Sequence, residues 1–335
     1  MSTEDATLWI SEADVVRAIS LPDAIDALEH GLALEAQGRA TNMEKTHLLW
    51  GEGHTLHAIG ATVEGEQVVG TKTWAHTAGG ATPLLLIWNS ETGRLRAVIE
   101  AFALGQMRTA AVTGVATRWM ARPDAAVLGQ VGAGKQALTQ VAAVCAVRPI
   151  AQVRLFSRDS DRRTAFAQQV RSAGLGVEVV AAETAAACVA DADVVTLVTR
   201  ARVPVLGSAE LVPGTHLNAI GAISPEREEF GQDVFERCAS IGVDSLASVR
   251  RLSKEFRTRF GEDETAWQAV RPLSALVAEG AGRRTGADLT LFKAMGMGIS
   301  DLAVGLAALR EAEAQGLGRR LPHPTKVKPR LTRAA

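Results

Sequence analysis

The first hundred residues combine one amphipathic stretch with several short apolar runs. Residues 21–35 place apolar side chains at i, i+3 and i+4, a spacing that predicts a helix with one buried face. The runs that follow are rich in β-forming residues, and turn-like pieces containing Gly or Asn separate the later ones. These predicted strands are residues 45–50, 55–62, 67–74 and 83–88. The pattern therefore predicts an antiparallel sheet in the N-terminal part.

From about residue 100 the pattern changes to strands that alternate with helices. An alanine-rich stretch at residues 101–122 predicts a helix that ends before Pro123. Beyond it, strands are predicted at residues 125–131, 152–156, 177–180, 194–198, 215–220 and 240–243. Predicted helices at residues 135–147, 159–173 and 183–190 separate the first four of these strands. This alternation is typical of a parallel, doubly wound sheet, so the expected fold class is α/β.

The C-terminal part is predicted to contain a loop, one helical region and a tail. Residues 280–286 are expected to form the loop, and residues 289–314 the helical region. The tail from Gly318 carries six Lys or Arg, several prolines and no acid. Residues 318–335 are therefore expected to be a mobile, basic end.

A glycine-rich segment connects the predicted strand at 125–131 to the helix that follows. Its sequence, Gly132-Ala133-Gly134-Lys135-Gln136-Ala137, has the G-x-G-x-x-A form of the dinucleotide fingerprint in a strand–turn–helix context. Gly132 would permit the tight turn, Gly134 the close approach of a pyrophosphate, and Ala137 close helix–strand packing. We therefore predict that these six residues bind a dinucleotide; an ordinary tight turn is the alternative.

The same segment also satisfies part of the triphosphate-binding pattern G-x-x-x-x-G-K, from Gly129 to Lys135. That pattern requires Ser or Thr at the next position to hold magnesium, and this chain has Gln136 there. Gly129 would also fall inside the strand. The segment thus favours a dinucleotide over a nucleoside triphosphate.

The end of the second parallel strand bears on the choice between NAD and NADP. An acid at this position would bond the ribose 2′-hydroxyl, whereas an arginine accommodates a 2′-phosphate. The chain has Ser157 and Arg158 there, which favours NADP(H). Asp159 follows directly and keeps NAD(H) possible, and Arg158 could equally be an exposed residue at a helix start.

Composition and charge limit the classes of function. Lys and Arg total 36 against 37 Asp and Glu in 335 residues, which argues against a nucleic-acid partner. The chain has no tyrosine, which excludes a phenol as general acid. Its three cysteines are widely spaced, so neither a metal site nor a disulfide framework is expected. Without a secretory leader or a ~20-residue apolar span, we expect a cytoplasmic protein with no membrane partner.

Six segments together match one known family. They are Gly70-Thr-Lys72, Glu91-Thr-Gly93, Met107-Arg108-Thr109-Ala-Ala, the glycine turn at 132–137, Gly214-Thr-His216-Leu-Asn218-Ala-Ile-Gly221-Ala, and Thr290-Leu-Phe292-Lys293 with Gly296 and Asp301. They occur in family order from about residue 40 to 315. On these segments the chain resembles the ornithine cyclodeaminase/mu-crystallin family, which includes ketimine reductases and some alanine dehydrogenases.

The resemblance implies two domains and a homodimer. Residues 116–290 would form a Rossmann-type NAD(P)-binding domain. Residues 1–115 and 291–325 would form an α+β domain for substrate binding and dimerisation, completed by the C-terminal helix. The active site would lie between them, where the nicotinamide meets a substrate with an α-carboxylate.

The same resemblance assigns roles to individual residues. Lys72 matches the family lysine beside the reacting centre, and Arg108 the arginine that reaches the substrate carboxylate; both are the predicted catalytic residues. Lys45 is the nearest candidate for a further family arginine and would assist in binding substrate. The remaining expected cofactor contacts are Thr109, Thr199, Ala219, Gly221 and Lys293.

One departure from the family pattern concerns the reaction itself. Cyclodeaminases and the related alanine dehydrogenase carry an aspartate after the Asn218–Ala222 segment, where it handles the substrate amine. This chain has Ile223, which cannot pair with an ammonium, as in ketimine-reductase members. Glu229 keeps a family acid, for which a structural role is favoured.

The expected function is NAD(P)H-dependent reduction of a carboxylate-bearing imine or ketimine to an amino acid. Three alternatives remain open: an alanine-type amino-acid dehydrogenase, an ornithine-type cyclodeaminase, and a non-catalytic NADPH-binding protein. The sequence does not define the imine, the proton donor or the physiological direction.

Overall fold

The computed structural model describes residues 6–333. The helices are α1 (Glu12–Ala18), α2 (Leu21–Ala36), α3 (Phe102–Met120), α4 (Ala137–Val147), α5 (Ser160–Ser172), α6 (Ala185–Val189), α7 (Val234–Arg237), α8 (Leu246–Leu252), α9 (Lys254–Phe260), α10 (Glu264–Trp267), α11 (Leu273–Glu279) and α12 (Gly298–Ala314). The first strands are β1 (Ala6–Ile10), β2 (Ala40–Asn42), β3 (Thr46–Trp50), β4 (His54–Val63), β5 (Val68–Thr77), β6 (Gly80–Ala81), β7 (Leu84–Asn89) and β8 (Leu95–Glu100). The later strands are β9 (Val127–Val131), β10 (Gln152–Phe156), β11 (Glu178–Ala181), β12 (Val194–Leu197), β13 (His216–Ala219), β14 (Cys238–Val243), β15 (Val270–Pro272), β16 (Leu289–Lys293) and β17 (Arg319–Pro322).

The strands form two separate sheets. The first has the order β17-β1-β8-β7-β5-β4-β2, with β3 added to β4 and β6 to β5. Its pairs are antiparallel except β1 with β8. The second sheet is parallel throughout, in the order β11-β10-β9-β12-β13-β16-β14-β15. The predicted α/β class, with a doubly wound sheet and an N-terminal α+β part, is confirmed.

Helix α3 is the central element between the sheets. Every residue from Ala110 to Thr117 is buried, and the helix packs against α2, α4 and α12. A helix enclosed on all sides needs no polar face, which explains its run of small and apolar residues. Its first half carries Arg108 and Thr109, so this packing fixes both residues beside the parallel sheet.

Two predictions about the C-terminal part, the start of its helix and the mobility of its tail, are wrong. Residues 289–293 are strand β16 in the middle of the parallel sheet, and the helix starts only at Gly298. The run Leu-Thr-Leu-Phe-Lys is fully buried, and periodicity alone does not separate such a strand from a buried helix. Residues 291–293 therefore belong with the parallel sheet rather than with the N-terminal one.

The tail is ordered at its start rather than mobile from Gly318. Strand β17 pairs antiparallel with β1, from Ala6 opposite Pro322 to Trp9 opposite Arg319. The next residue, His323, accepts a hydrogen bond from the Leu95 amide at 3.2 Å. Main-chain pairing requires no apolar side chains, which is why a basic, polar segment gave no strand signal. Residues 334 and 335 lie outside the described residues.

Candidate active site

The glycine turn follows β9 at the carboxyl edge of the parallel sheet. Gly132 has a φ of 115°, and a Cβ there would lie 2.6 Å from the Val198 carbonyl oxygen. A Cβ on Gly134 would meet nothing within 4 Å, so this position opens towards the cleft. The main-chain amides at the start of α4 and its dipole face the same space, as an anionic pyrophosphate requires. The turn thus fits a dinucleotide.

The end of β10 forms the next part of the cleft. Ser157, Arg158 and Arg162 line it together with Asp159. Asp159 caps α5, because its Oδ1 accepts bonds from the amides of Asp161 and Arg162 at 3.1 and 3.0 Å. Its other oxygen lies 3.4 Å from Arg162 Nε. The carboxylate that kept NAD possible is therefore engaged, while Arg158 is exposed and has no ion pair within residues 6–333.

A buried carboxylate organises the opposite wall. Glu229 is fully buried and accepts bonds from the Thr199 amide at 2.6 Å and its hydroxyl at 2.9 Å. Its second oxygen accepts from the amides of Gly221 and Ala222 at 2.8 and 3.0 Å. Glu229 therefore ties the segment after β12 to the segment after β13, which is the structural role favoured for it.

At the other end of the cleft three charged side chains from distant elements meet. Lys72 Nζ on β5 donates to Asp301 Oδ1 on α12 at 2.5 Å, and Arg108 Nε on α3 lies 3.2 Å from the same oxygen. Lys72 and Asp301 are 4% and 1% exposed. Asp301 Oδ2 is buried with no hydrogen-bond partner in the described part of the chain. One carboxylate oxygen thus serves two cations.

Burial and mutual repulsion perturb these groups. Burial and, after it, the Arg108 charge lower the pKa of Lys72 to about 8, although Asp301 opposes both effects. Burial and Arg108 also lower the pKa of Lys45, which lines the cleft without an ion pair to any described residue. Burial raises the pKa of Asp244, which accepts bonds from the amides of Met295 and Gly296. This end therefore has an excess of cations, suited to a substrate carboxylate.

Aromatic side chains cover the cationic end. Trp74 lines the cleft, with Lys72 Nζ 5.1 Å from its ring centroid. The His57 ring stacks on Trp74 at 4.7 Å, and His47 stacks on His57 at 5.8 Å. Burial lowers the pKa of His57 to about 4, so it is neutral at neutral pH. These rings give this end of the cleft an apolar side.

Most of the predicted site residues line one cleft of about 1070 Å³. Those that do are Lys45, Arg108, Thr109, Gly132, Ala133, Gly134, Lys135, Gln136, Ser157, Arg158, Thr199, Gly221 and Ile223. Ile223 is 41% exposed at the position where an acid was considered. Lys72 lies beneath the lining, bonded to Asp301.

Three expected cofactor contacts are not in the lining. Ala137 and Ala219 are fully buried in packing, at the start of α4 and the end of β13. The prediction that Lys293 contacts the cofactor is wrong, because its Nζ pairs with Glu255 Oε1 at 3.2 Å and both side chains are 0% exposed. Glu255 also accepts from the Glu229 amide, so Lys293 supports the wall from behind.

Trp74, Asp244 and Asp301 are among the site residues that were not predicted. Asp244 follows β14 at the carboxyl edge of a parallel sheet, where ligand-binding residues concentrate, so its position was a usable signal. Asp301 was recognised only as part of a matching segment. Its partner Lys72 lies 229 positions away, and sequence spacing carries no information about such a contact.

Residues 6–333 were predicted to contain neither a membrane span nor a metal site. No helix in that range is both long and apolar enough to cross a bilayer. No group of three or more His, Cys, Asp or Glu side chains within it could hold a metal ion. The three cysteines form no disulfide, and burial raises the pKa of Cys188 to about 12.

The chain is similar to known proteins over nearly its whole length. The model of the ornithine cyclodeaminase/mu-crystallin family matches residues 6–315. An alanine dehydrogenase of Archaeoglobus fulgidus is 29% identical over 94% of this chain and 98% of its own length. A Δ1-pyrroline-2-carboxylate reductase of Paracoccus denitrificans is 30% identical over 89% of this chain and 95% of its own.

Solved structures extend the likeness to the whole fold. The Δ1-pyrroline-2-carboxylate reductase of Thermococcus litoralis, in complex with NADH and L-proline, superposes with a TM-score of 0.87 at 26% identity. That match covers 94% of this chain and all of the other. A dimeric archaeal alanine dehydrogenase with bound NAD gives a TM-score of 0.85 at 26% identity, over 94% and 99% of the two chains.

Proposed function

This chain belongs to the ornithine cyclodeaminase/mu-crystallin family, and from that premise we propose that it uses NAD(P)H to reduce a carboxylate-bearing imine to an amino acid. It is an NAD(P)H-dependent oxidoreductase that acts on a C=N bond. The similar reductases from Paracoccus denitrificans and Thermococcus litoralis support this reaction.

One observation carries the proposal: a dinucleotide turn and an excess of cations share one cleft. The glycine turn lies at one end, and Arg108, Lys45 and the buried Lys72 lie at the other. An α-carboxylate bound by these cations would place the adjacent carbon between them and the cofactor end. The cleft thereby brings an imine carbon and a hydride donor together, which is what positioning contributes to this reaction.

We assign substrate binding to Arg108 and Lys45. Neither Nη of Arg108 donates a hydrogen bond to any described residue, so the planar fork is available to both carboxylate oxygens. Lys45 adds a point charge. Trp74 and Ile59 supply an apolar wall for the rest of the substrate, which suits a hydrocarbon side chain or ring.

We assign proton supply to Lys72. With its pKa near 8, Lys72 is protonated at neutral pH yet gives up a proton more readily than an ordinary lysine. Transfer of that proton to the imine nitrogen makes the C=N carbon more electrophilic. A bound nicotinamide cofactor supplies the hydride, and Lys72 regains its proton from water. Asp301 acts through Lys72 as a positioning residue.

Ile223 separates this reaction from cyclodeamination. It lines the cleft where cyclodeaminases have a carboxylate for the substrate amine. An isoleucine side chain neither accepts a proton nor pairs with an ammonium ion. At position 223 the substrate can therefore make only an apolar packing contact. No side chain at this position can accept a proton from the amine, which the release of ammonia would require.

NADP(H) is the cofactor that we propose, because of the charges at the end of β10. NAD is bound in a similar structure, which supports a nicotinamide dinucleotide of either kind. Arg158 and Arg162 line this end, and the nearest acid, Asp159, is committed to capping α5. A 2′-phosphate would meet the unpaired Arg158 and, beside it, Arg162, which pairs with Asp159. A 2′-hydroxyl would meet a carboxylate that is already engaged by the α5 amides and by Arg162.

We also propose that the protein is a homodimer in which β3 and β4 form the interface. Leu48, Leu49, Trp50 and Leu56 are 41–65% exposed on these neighbouring strands. Apolar patches of this kind mark contact surfaces, and the similar archaeal alanine dehydrogenase is a dimer. Light scattering of the wild type and of Leu49→Lys tests this; a monomeric wild type contradicts it.

The test of function is an absorbance assay at 340 nm. Purified protein is mixed with NADPH or NADH and with cyclic five- and six-membered ketimine carboxylates, or with pyruvate and ammonia. We expect absorbance loss with a cyclic ketimine and a faster rate with NADPH. A flat trace with every imine, from protein that binds NADPH, contradicts the proposed reaction.

A further inference from the structure

A second hollow lies on the amino edge of the parallel sheet, away from the glycine turn. It encloses about 830 Å³ between the end of α3, the residue after α4, the turn before β13 and the loop before β16. Five arginines from these segments line it: Arg118, Arg122, Arg148, Arg283 and Arg284. We name this hollow the arginine pocket.

Two of the five guanidinium groups are neutralised by carboxylates. Arg118 pairs with Asp26 and Glu29, and Arg122 pairs with Asp193. The lining acid Asp288 is bound by both nitrogens of an outside arginine, Arg237, at 2.8 and 2.9 Å. It is therefore not available to the pocket.

The other three guanidinium groups have no carboxylate within 4.0 Å in the described part of the chain. Arg148 donates to the carbonyls of Arg118, Ala121 and Val147. Arg283 donates to the carbonyl of Met120 at 3.4 Å and to that of Ala287 at 2.9 Å. These bonds hold both side chains in place, and Arg284 is exposed beside them. Asp124 offsets part of this charge and is itself mostly exposed.

The cations in the pocket disfavour one another. Burial and the Arg118 charge lower the pKa of Arg148, and burial and the Arg122 charge lower the pKa of Arg283. An anion would relieve this repulsion. Because planar guanidinium groups match phosphate geometry and two of them are already fixed, little side-chain entropy would be lost on binding.

From this geometry we propose that the arginine pocket binds a phosphate-bearing small molecule at a site separate from the active site. Its volume is in the range of small-molecule sites. Helix α3 carries Arg108 at the active site and Arg118 at the pocket, so one buried helix joins the two places.

The test is calorimetric titration with inorganic pyrophosphate at low salt, with NADPH saturating the glycine turn. We expect one site per chain. Arg284→Glu should weaken binding at least about tenfold, because it replaces a charge-assisted contact with repulsion. The matched control is Arg257→Glu, which reverses an exposed arginine on α9 outside the pocket and should change affinity less than about twofold.

Three results overturn the proposal. They are no heat with pyrophosphate in the NADPH-saturated protein, equal loss of affinity in the two variants, and citrate binding as tightly as pyrophosphate. The Arg284 side chain is exposed and bonds to no described residue, and its carbonyl bond to the Ala287 amide does not involve the side chain, so its variant should fold. Equal Tm values for both variants check this. The measurement needs no turnover, so it relies on NADPH binding but not on the proposed reaction.

Discussion

The two ends of the cleft are built in different ways. The proposed cofactor end is a contiguous turn, residues 132–136, whose main-chain amides and missing side chains would provide the binding surface. The substrate end is a meeting of side chains from β5, α3 and α12, in which Lys72 and Asp301 are 229 positions apart. One end depends on local conformation, and the other depends on how distant elements pack.

This difference predicts how each end fails. At the substrate end, deletion of a side chain removes a charge and leaves its partner buried without compensation. At the cofactor end, where glycine provides the fit, addition of a side chain does the damage. The variants below test this contrast.

The largest effect is expected at the substrate end, from Arg108→Ala. The change removes the fork that binds the carboxylate and leaves Asp301 with one cation. We expect kcat/KM for the imine to fall about a hundredfold, which corresponds to a loss of about 3 kcal/mol in transition-state binding. Arg108→Lys keeps the charge and should recover only part of the loss. Steady-state kinetics with wild-type values for Arg108→Ala would refute the assignment.

Paired glycine substitutions probe the cofactor end. Gly132→Ala forces a Cβ to within 2.6 Å of the Val198 oxygen at a φ of 115°. We expect it to cost about 2 kcal/mol of stability and to weaken NADPH binding at least about tenfold. Gly134→Ala meets nothing within 4 Å, so it should weaken binding alone. Thermal unfolding and fluorescence titration separate the two, and an equal Tm loss in both variants would refute the distinction.

The dependence on pH tests the Lys72–Asp301 pair. Since protonated Lys72 is the proposed donor and its pKa is near 8, kcat should fall as the pH rises through about 8. Asp301 raises this pKa, so Asp301→Asn should move the fall to lower pH by about one unit. The control is Glu264→Gln, which removes a carboxylate that pairs with Arg250 outside the cleft and should leave the profile unchanged. Identical profiles for wild type and Asp301→Asn would exclude this role for Asp301.

The smallest effect concerns cofactor choice. Arg158 is exposed, so its contact with a 2′-phosphate is worth about 1 kcal/mol. Arg158→Ala should reduce kcat/KM for NADPH about fivefold and leave that for NADH unchanged. Parallel assays with both cofactors measure the ratio. A wild type that prefers NADH, or a variant with an unchanged ratio, would contradict the NADP assignment.

The same contrast explains what could be predicted from the sequence. The strand, turn and helix around Gly132 are local, and their spacing alone located them correctly. Helix α2 was also predicted within one residue, from the i, i+3 and i+4 spacing of its apolar residues. In the structure a capping box of Ser20 and Asp23 fixes its start. The parallel sheet followed from strand–helix alternation.

What the sequence did not provide depends on tertiary contacts. Strand β16 has apolar residues on both faces because it is central in its sheet, so no periodicity identified it. Strand β17 is defined by main-chain bonds to β1 rather than by its side chains. Lys293 was assigned to the cofactor from a matching segment. The structure shows instead that it forms a fully buried ion pair with Glu255. The contact of Asp301 with Lys72 could be identified only from the folded structure, because the two residues are 229 positions apart.

The pairing of β1 with β17 has a consequence for synthesis of the chain on the ribosome. Strand β1 is synthesised early, but its antiparallel neighbour β17 emerges some 310 residues later. Lys72 likewise emerges long before Asp301. A nascent chain interrupted after the parallel sheet would hold a formed cofactor turn beside an unpaired lysine and an open sheet edge. The residues from α12 onward supply Asp301, so a chain that stops before them would leave Lys72, the proposed proton donor, without this carboxylate.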